Sequence, residues 1–353
     1  MPSARPSAVG WRRAILFAAL ASIAASCRES DPGVAHARLS EYGLFIGDPS
    51  AQLPATGVVA YAVNTPLFSD YAEKLRFVRL PEGRSAVYRG EGVFDFPVGT
   101  TIVKTFYYPK DFRMKNGPRR LIETRLLIHD PDGWVGLPYV WNDAQTEAEL
   151  RITGARVPVE WIDPSGMKQS VEYRVPSASD CGICHRSGAQ ALAPLATKPA
   201  QLNRVDGGRR FENQLARWEQ EGLLVGLPAV ERVPRYPDWG DEASGTLENR
   251  ARAYLDANCA HCHNPMGYAS GAQLDLRYEQ REPRHIGVFK RPVAAGRGSG
   301  DLFYDISPGQ PDDSILLYRM ESMEPGVMMP ELGRTTTHWA GVRLVREWIA
   351  SLR

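Results

Sequence analysis

The chain is short of several things, and each shortage removes a class of function. Among its 353 residues, nothing beyond the first 26 is long and apolar enough to cross a bilayer, which takes about 20 residues. Lys plus Arg number 42 against 41 Asp plus Glu. The basic residues form no clustered excess of the kind a nucleic-acid partner requires. No catalytic triad, zinc-protease or phosphate-loop motif is present. Cysteine is scarce, with five in the whole chain. The apolar fraction of 43% and aromatic fraction of 9% are ordinary for globular protein, and the length suggests two or three domains.

The N-terminus reads as an export signal. Arg5, Arg12 and Arg13 precede an apolar run at 14–26 that is too short to span a membrane, and Cys27 follows directly. Ala24-Ala25-Ser26-Cys27 has the form of a lipobox, although the position three before the cysteine holds Ala where Leu is usual. The expectation is a lipoprotein-type signal peptide over 1–26, with lipidation of Cys27 anchoring the chain to a bacterial membrane from the periplasm. Ordinary secretory cleavage nearby is the alternative. It also exports the chain, but leaves an odd thiol in an oxidising compartment. From Cys27 onward the chain has 39 basic and 41 acidic residues. Residues 27–40 are polar and aperiodic and read as a tether.

The other four cysteines form two identical motifs, Cys181-Gly-Ile-Cys184-His185 and Cys259-Ala-His-Cys262-His263. C-x-x-C-H is the attachment sequence for c-type haem. Two residues between the thiols, on one helical turn, set them to reach the two vinyl groups of one porphyrin edge. The next residue then aims its imidazole at the iron. A structural zinc site or a pair of disulfides would also use four cysteines, but neither needs a histidine directly after the second cysteine of both pairs. Two covalently bound haem c groups are therefore expected, with His185 and His263 as iron ligands. His261, inside the second motif, reads as solvent-facing.

Residues 41–176 are rich in strand signals. β-branched and aromatic runs at 100–108, 121–129, 134–141, 150–157, 159–162 and 171–175 are punctuated by turns at 130–133 and 163–166. The acids of those turns are explained by turn chemistry rather than by a metal. This spacing predicts a β-sandwich or barrel-like domain. Residues 177–226 carry the first motif, with Ser177, Ser179 or Asp180 able to cap its helix. One amphipathic helix follows, on Phe211, Leu215 and Trp218, with Gly222 closing it. No helix precedes Cys181, so this segment is not a cytochrome c fold by itself. Residues 227–245, with Pro228, Pro234 and Pro237, read as a surface linker. Residues 246–353 read as a complete all-α cytochrome c domain. Thr246 caps a helix running into Cys259, and a last helix at about 337–352 buries Val342, Val345, Trp348, Ile349 and Leu352. The fold class is α+β multidomain.

For the second haem, the loop Val327-Met328-Met329-Pro330 lies before the last helix, where an axial methionine is expected. Met329, next to Pro330, is favoured over Met328. For the first haem no methionine lies between His185 and His263. Met167, His129, His285, His338, Met320 and Met323 remain open as sixth ligands, as does an open site. Arg291 and the loop 294–300 read as surface rather than as contacts to a haem.

Taken together, 64–71 (NTPLFSDY), 96–100 (FPVGT), the C-G-I-C-H run, 201–204 (QLNR), 250–263 (RARAYLDANCAHCH), 292–300 (PVAAGRGSG) and 329–334 (MPELGR) resemble a family of uncharacterised bacterial diheme c-type cytochrome lipoproteins with a β-rich N-terminal region. The resemblance covers about residues 40–353. It implies electron transfer with periplasmic redox partners, among them a quinoprotein (PQQ-dependent) dehydrogenase. A diheme peroxidase-like enzyme or a haem sensor, with an open first haem, is the alternative.

Overall fold

Alternating β-branched and aromatic residues build the largest element, an antiparallel meander. In the computed structural model, which describes residues 35–186, 192–206, 212–293 and 296–353, six strands pair in chain order. They are β1 (Val58–Ala60), β2 (Glu73–Arg79), β3 (Thr101–Pro109), β4 (Arg119–Asp130), β5 (Gly133–Trp141) and β6 (Ala148–Leu150). The signal segment, Cys27 and the first part of the tether lie outside the described residues. A second hairpin, β7 (Ala155–Ile162) and β8 (Lys168–Val175), stands apart from this sheet.

The sheet is open, not a closed barrel. Its edge strands β1 and β6 are three residues each, too short to pair round. The N-terminal segment covers the β6 edge, where Leu150 N donates to Ala37 O at 2.9 Å, so the edge is not left as a template for another strand. One face of the sheet packs Val103, Leu126, Leu137 and Tyr139 under Leu39, Tyr42 and Leu44. On the other face, Phe106, Tyr108 and Ile122 meet Val159, Trp161, Tyr173 and Val175 of the hairpin.

The chain leaves β8 and enters α1 (Cys181–His185), then α2 (Pro199–Leu202) and α3 (Gln214–Gln220). Asp180 takes the N-cap position of α1, but its carboxylate accepts from Ser177 N at 3.0 Å, not from the helix. Helix α3 is capped by Asn213, whose Oδ1 accepts from Leu215 N at 2.9 Å. Leu215 and Trp218 are fully buried beneath β-sheet residues Val78, Ile102 and Leu127. Phe211 lies outside the described residues. Gly222, at φ +73°, adopts the left-handed turn that ends such helices.

The named elements of 246–353 are helical: α4 (Leu247–Leu255), α5 (Pro283–Ile286), α6 (Ile315–Glu321) and α7 (Trp339–Ser351), among several short 3-10 turns and one π turn. Thr246 caps α4 through Asn249 N. Ala251, Tyr254 and Leu255 of α4 bury against Val342, Val345, Trp348 and Ile349 of α7. Gly341 permits this approach, because a Cβ there would lie 2.2 Å from the Tyr254 hydroxyl.

The proline-rich stretch 227–245 is not a surface strap throughout. Val233 and Tyr236 are buried. Tyr236 N donates to Ala200 O at 2.9 Å and its hydroxyl to Glu279 at 2.9 Å. All described residues belong to one compact unit.

Candidate cofactor-binding site

The first motif rests on the sheet. Cys181 lies over Gly136 of β5, where an added Cβ would stand 2.9 Å from the cysteine sulfur. A side chain at 136 would occupy the space the cysteine uses. His185 is fixed by its backbone surroundings: Nδ1 sits 2.7 Å from Ala193 O. A carbonyl can only accept, so Nδ1 carries the proton and Nε2 keeps its lone pair. Burial pushes the His185 pKa down to about 4. The ring is therefore neutral near pH 7, as a metal-ligating imidazole must be.

The second motif grows out of α4. The helix passes into a π turn over Asp256–Ala260, which carries Cys259. Such turns are frequent at functional sites. Burial raises the Cys259 thiol to about 12. His263 is pushed down to about 4 by burial and then by the Arg319 charge. Its Nδ1 is buried without a hydrogen-bond partner among the described residues.

The motifs are 78 residues apart in sequence, yet they meet. The sulfurs of Cys184 and Cys262 and a ring nitrogen of His261 all lie within 4.8 Å of one another. The two thiols act on each other, Cys262 holding Cys184 low, and Cys184 together with burial holding Cys262 high on the pKa scale. His261 is thus part of the junction between the motifs and not a freely solvated side chain. The group supplies three donors, whereas a structural zinc site takes four. Cys181 and Cys259 stand outside it, and none of the four cysteines of the two motifs is in a disulfide.

Two cavities adjoin this junction. The first, about 440 Å³, is lined by Cys181, Cys184 and His185 together with Ile102, Leu127 and Leu195, while Cys184, Cys259 and His261 line both cavities. The second, about 570 Å³, is lined by Cys259, Cys262 and His263 together with Leu276, Ile315 and Leu316. Both fall within the ~300–1,000 Å³ typical of small-molecule and cofactor pockets. Met329 lines both, and Met328 lines neither. Of the six candidates for a further ligand in the first cavity, Met320 and His338 line it. Met167, on the exposed β7–β8 turn, His129, stacked on Trp134 at 4.5 Å, His285 and Met323 do not. His338 stacks on Phe68 with ring centroids 4.1 Å apart, and its Nδ1 lies 2.9 Å from the Tyr254 hydroxyl, leaving Nε2 free of that bond. Arg291 is exposed and lies over the Phe303 ring.

Residues 64–71, part of the run of motifs that carries the resemblance, have a structural task. They clamp the cavity walls. Asn64 Nδ2 donates to Ala200 O and Asn203 O, each at 3.0 Å. Thr65 exchanges bonds with Gln201 and donates its hydroxyl to Pro237 O at 2.6 Å. Phe68 N donates to Asn258 Oδ1 at 2.8 Å, beside the second motif. The Asp70 carboxylate accepts from the backbone N–H and hydroxyl groups of Thr335 and Thr336 at 2.6–3.1 Å. The clamp thus reaches both motif-bearing segments and the loop that follows Met329.

Comparison with family models, curated proteins and solved structures gives no match to this chain.

Proposed function

We propose that the chain is an exported diheme c-type cytochrome that passes electrons between a periplasmic dehydrogenase and a downstream acceptor. The observation that carries this reading is the meeting of two C-x-x-C-H motifs on adjoining, largely apolar cavities, with Cys184 and Cys262 at their junction. In this reading Cys181, Cys184 and His185 hold one haem. Cys259, Cys262, His263 and Met329 hold the other. Residues 246–353, with α4 packed on α7, form a small cytochrome c domain. Cys27 carries the lipid that keeps the protein at the membrane.

Haem iron exchanges single electrons at a potential set by its axial ligands and surroundings. The chain supplies neutral imidazoles at 185 and 263, a thioether at 329 and largely apolar walls. The Cys184 and Cys262 sulfurs, which would fasten one group each, are within 4.8 Å of each other, so the chain would hold the two centres close together. A quinoprotein (PQQ-dependent) dehydrogenase is a fitting donor class.

The test is a pyridine haemochrome count on protein made with a cytochrome c maturation system, followed by exposure of the reduced protein to carbon monoxide. Two covalent haems per chain, both low-spin and inert to the gas, are expected. One haem that binds carbon monoxide would favour the peroxidase-like or sensor reading. No covalent haem would overturn the proposal and return the cysteines and histidines to a zinc site.

A further inference from the structure

The sheet face beneath the first cavity is laid out in rungs. Strand register places Val78, Ile102, Leu127 and Gly136 directly opposite one another across β2, β3, β4 and β5. Two residues along, on the same face, the same register aligns Arg76, Lys104 and Arg125. An apolar shelf is thus bordered by three neighbouring cations. Like charges directly opposite one another destabilise a sheet, and buried cations are costly unless paired.

One of the three is paired. Arg125 Nε donates to Glu123 at 2.8 Å, and Tyr173 donates to the same carboxylate at 2.6 Å. The other two have no hydrogen-bond partner for their side chains among the described residues. Arg76 is 8% exposed with its Nε buried and unbonded. Lys104 lies 4.8 Å over the Phe106 ring, and burial, followed by the neighbouring Arg76 charge, holds its pKa well below the usual lysine range. Both line the first cavity.

Nor do the other groups around the cavity supply the missing charge. Its two carboxylates are engaged elsewhere, Asp180 by Arg174 and Ser177 N and Asp256 by Lys198. Glu73 pairs with Tyr107 in the register and so projects from the opposite face. The cavity therefore presents two basic side chains with no hydrogen-bonded counter-charge beside an apolar shelf. That is the pattern needed by a flat apolar molecule with an anionic edge.

We infer that Arg76 and Lys104 form the seat for the propionate carboxylates of the haem held by Cys181, Cys184 and His185. This rests on the diheme reading. Arg125 completes the rung while remaining tied to Glu123, and the apolar shelf takes the macrocycle.

The experiment is a potentiometric titration, read by absorption, of the full haem-loaded chain and its Lys104→Met, Arg76→Gln and Lys104→Arg variants. A cation near one haem favours its reduced form. Lys104→Met should lower one midpoint by a tenfold or larger change in the reduction equilibrium, about 59 mV for a one-electron couple, and leave the other unmoved. Arg76→Gln should move the same midpoint in the same direction, and Lys104→Arg should restore it. Loss of one haem from Lys104→Met with retention in Lys104→Arg would also support the seat. Unmoved midpoints, or equal falls in both, would overturn it. A wild-type midpoint that tracks added acetate would overturn it in favour of a diffusible anion. If wild-type protein carries two covalent haems and the variants behave as wild type, this inference fails alone; if wild type carries none, the diheme reading fails first.

Discussion

Replacing Asp70 by alanine should loosen the Met329 loop. Asp70 is 2% exposed, and its carboxylate is the common acceptor for four donors on Thr335 and Thr336. The two hydroxyls can turn to other partners once the carboxylate is gone, but the two backbone N–H groups cannot. Each donor left unpaired where water cannot reach costs about 1–3 kcal/mol, so with Thr335 and Thr336 half-buried Asp70→Ala should lose up to about 2–6 kcal/mol. That is a large share of a margin typically near 5–15 kcal/mol. Backbone strain adds to the effect. Asp70 and Tyr71 both have left-handed backbone, at φ +48° and +67°, a conformation that costs a bulky residue about 1–3 kcal/mol and is held here by those bonds. Denaturant unfolding of wild type, Asp70→Ala and Asp70→Asn measures the loss. Asparagine tolerates the left-handed region and keeps one acceptor oxygen, so it should fall between the other two. In the haem-loaded protein, the absorption signature of methionine ligation should fade at lower denaturant than the helical signal. An Asp70→Ala protein within about 0.5 kcal/mol of wild type, the spread of ordinary surface changes, would refute the clamp.

Three further outcomes follow from the site. Gly136→Val, whose Cβ would meet the Cys181 sulfur at 2.9 Å, should reduce the haemochrome count from two haems per chain to one while the chain still folds. Met329→Ala should lower the potential of one haem or open it to carbon monoxide, whereas Met328→Ala, at a position lining neither cavity, should leave the spectrum unchanged. Burial holds His338 down to about 4, so the folded chain refuses a proton that the unfolded chain accepts below about pH 6.5. Stability should therefore be flat above that pH and fall as pH drops from about 6.5 to 4. His338→Gln should shallow the fall, by on the order of 3 kcal/mol at pH 4, and denaturant midpoints at pH 7, 5.5 and 4.5 that run parallel in the two proteins would contradict it.

Local signals read well from the sequence. The strands at 100–108, 121–129 and 134–141 stand as β3, β4 and β5 within a residue or two, and Thr246 caps α4 as its position suggested. These depend on side-chain periodicity and turn chemistry, which a single segment contains. The open sheet did not read, because closure depends on edge-strand length and on what covers the edges, not on the alternation that barrels, sandwiches and open sheets share. The buried anchors Val233 and Tyr236 were hidden by three prolines that rightly signalled irregular backbone but say nothing of burial. At the site, the two motifs were legible and their meeting was not. That meeting depends on the 64–71 clamp, whose partners lie 136–266 residues further along the chain. The basic rung was invisible for a similar reason. Arg76, Lys104 and Arg125 are scattered in sequence, and only strand register aligns them.

The closeness of Cys184 and Cys262 bears on how the molecule must be made. Two free thiols whose sulfurs sit within 4.8 Å need little adjustment to reach disulfide geometry, and an oxidising compartment would join them. Such a cross-link would take one thiol from each motif and, on the diheme reading, block both attachment sites at once. Folding the polypeptide first and loading it afterwards therefore leads toward a dead end. Loading each segment before the clamp draws them together avoids it. On the diheme reading, protein released without cofactor into oxidising conditions should therefore accumulate as the cross-linked, haem-refractory form.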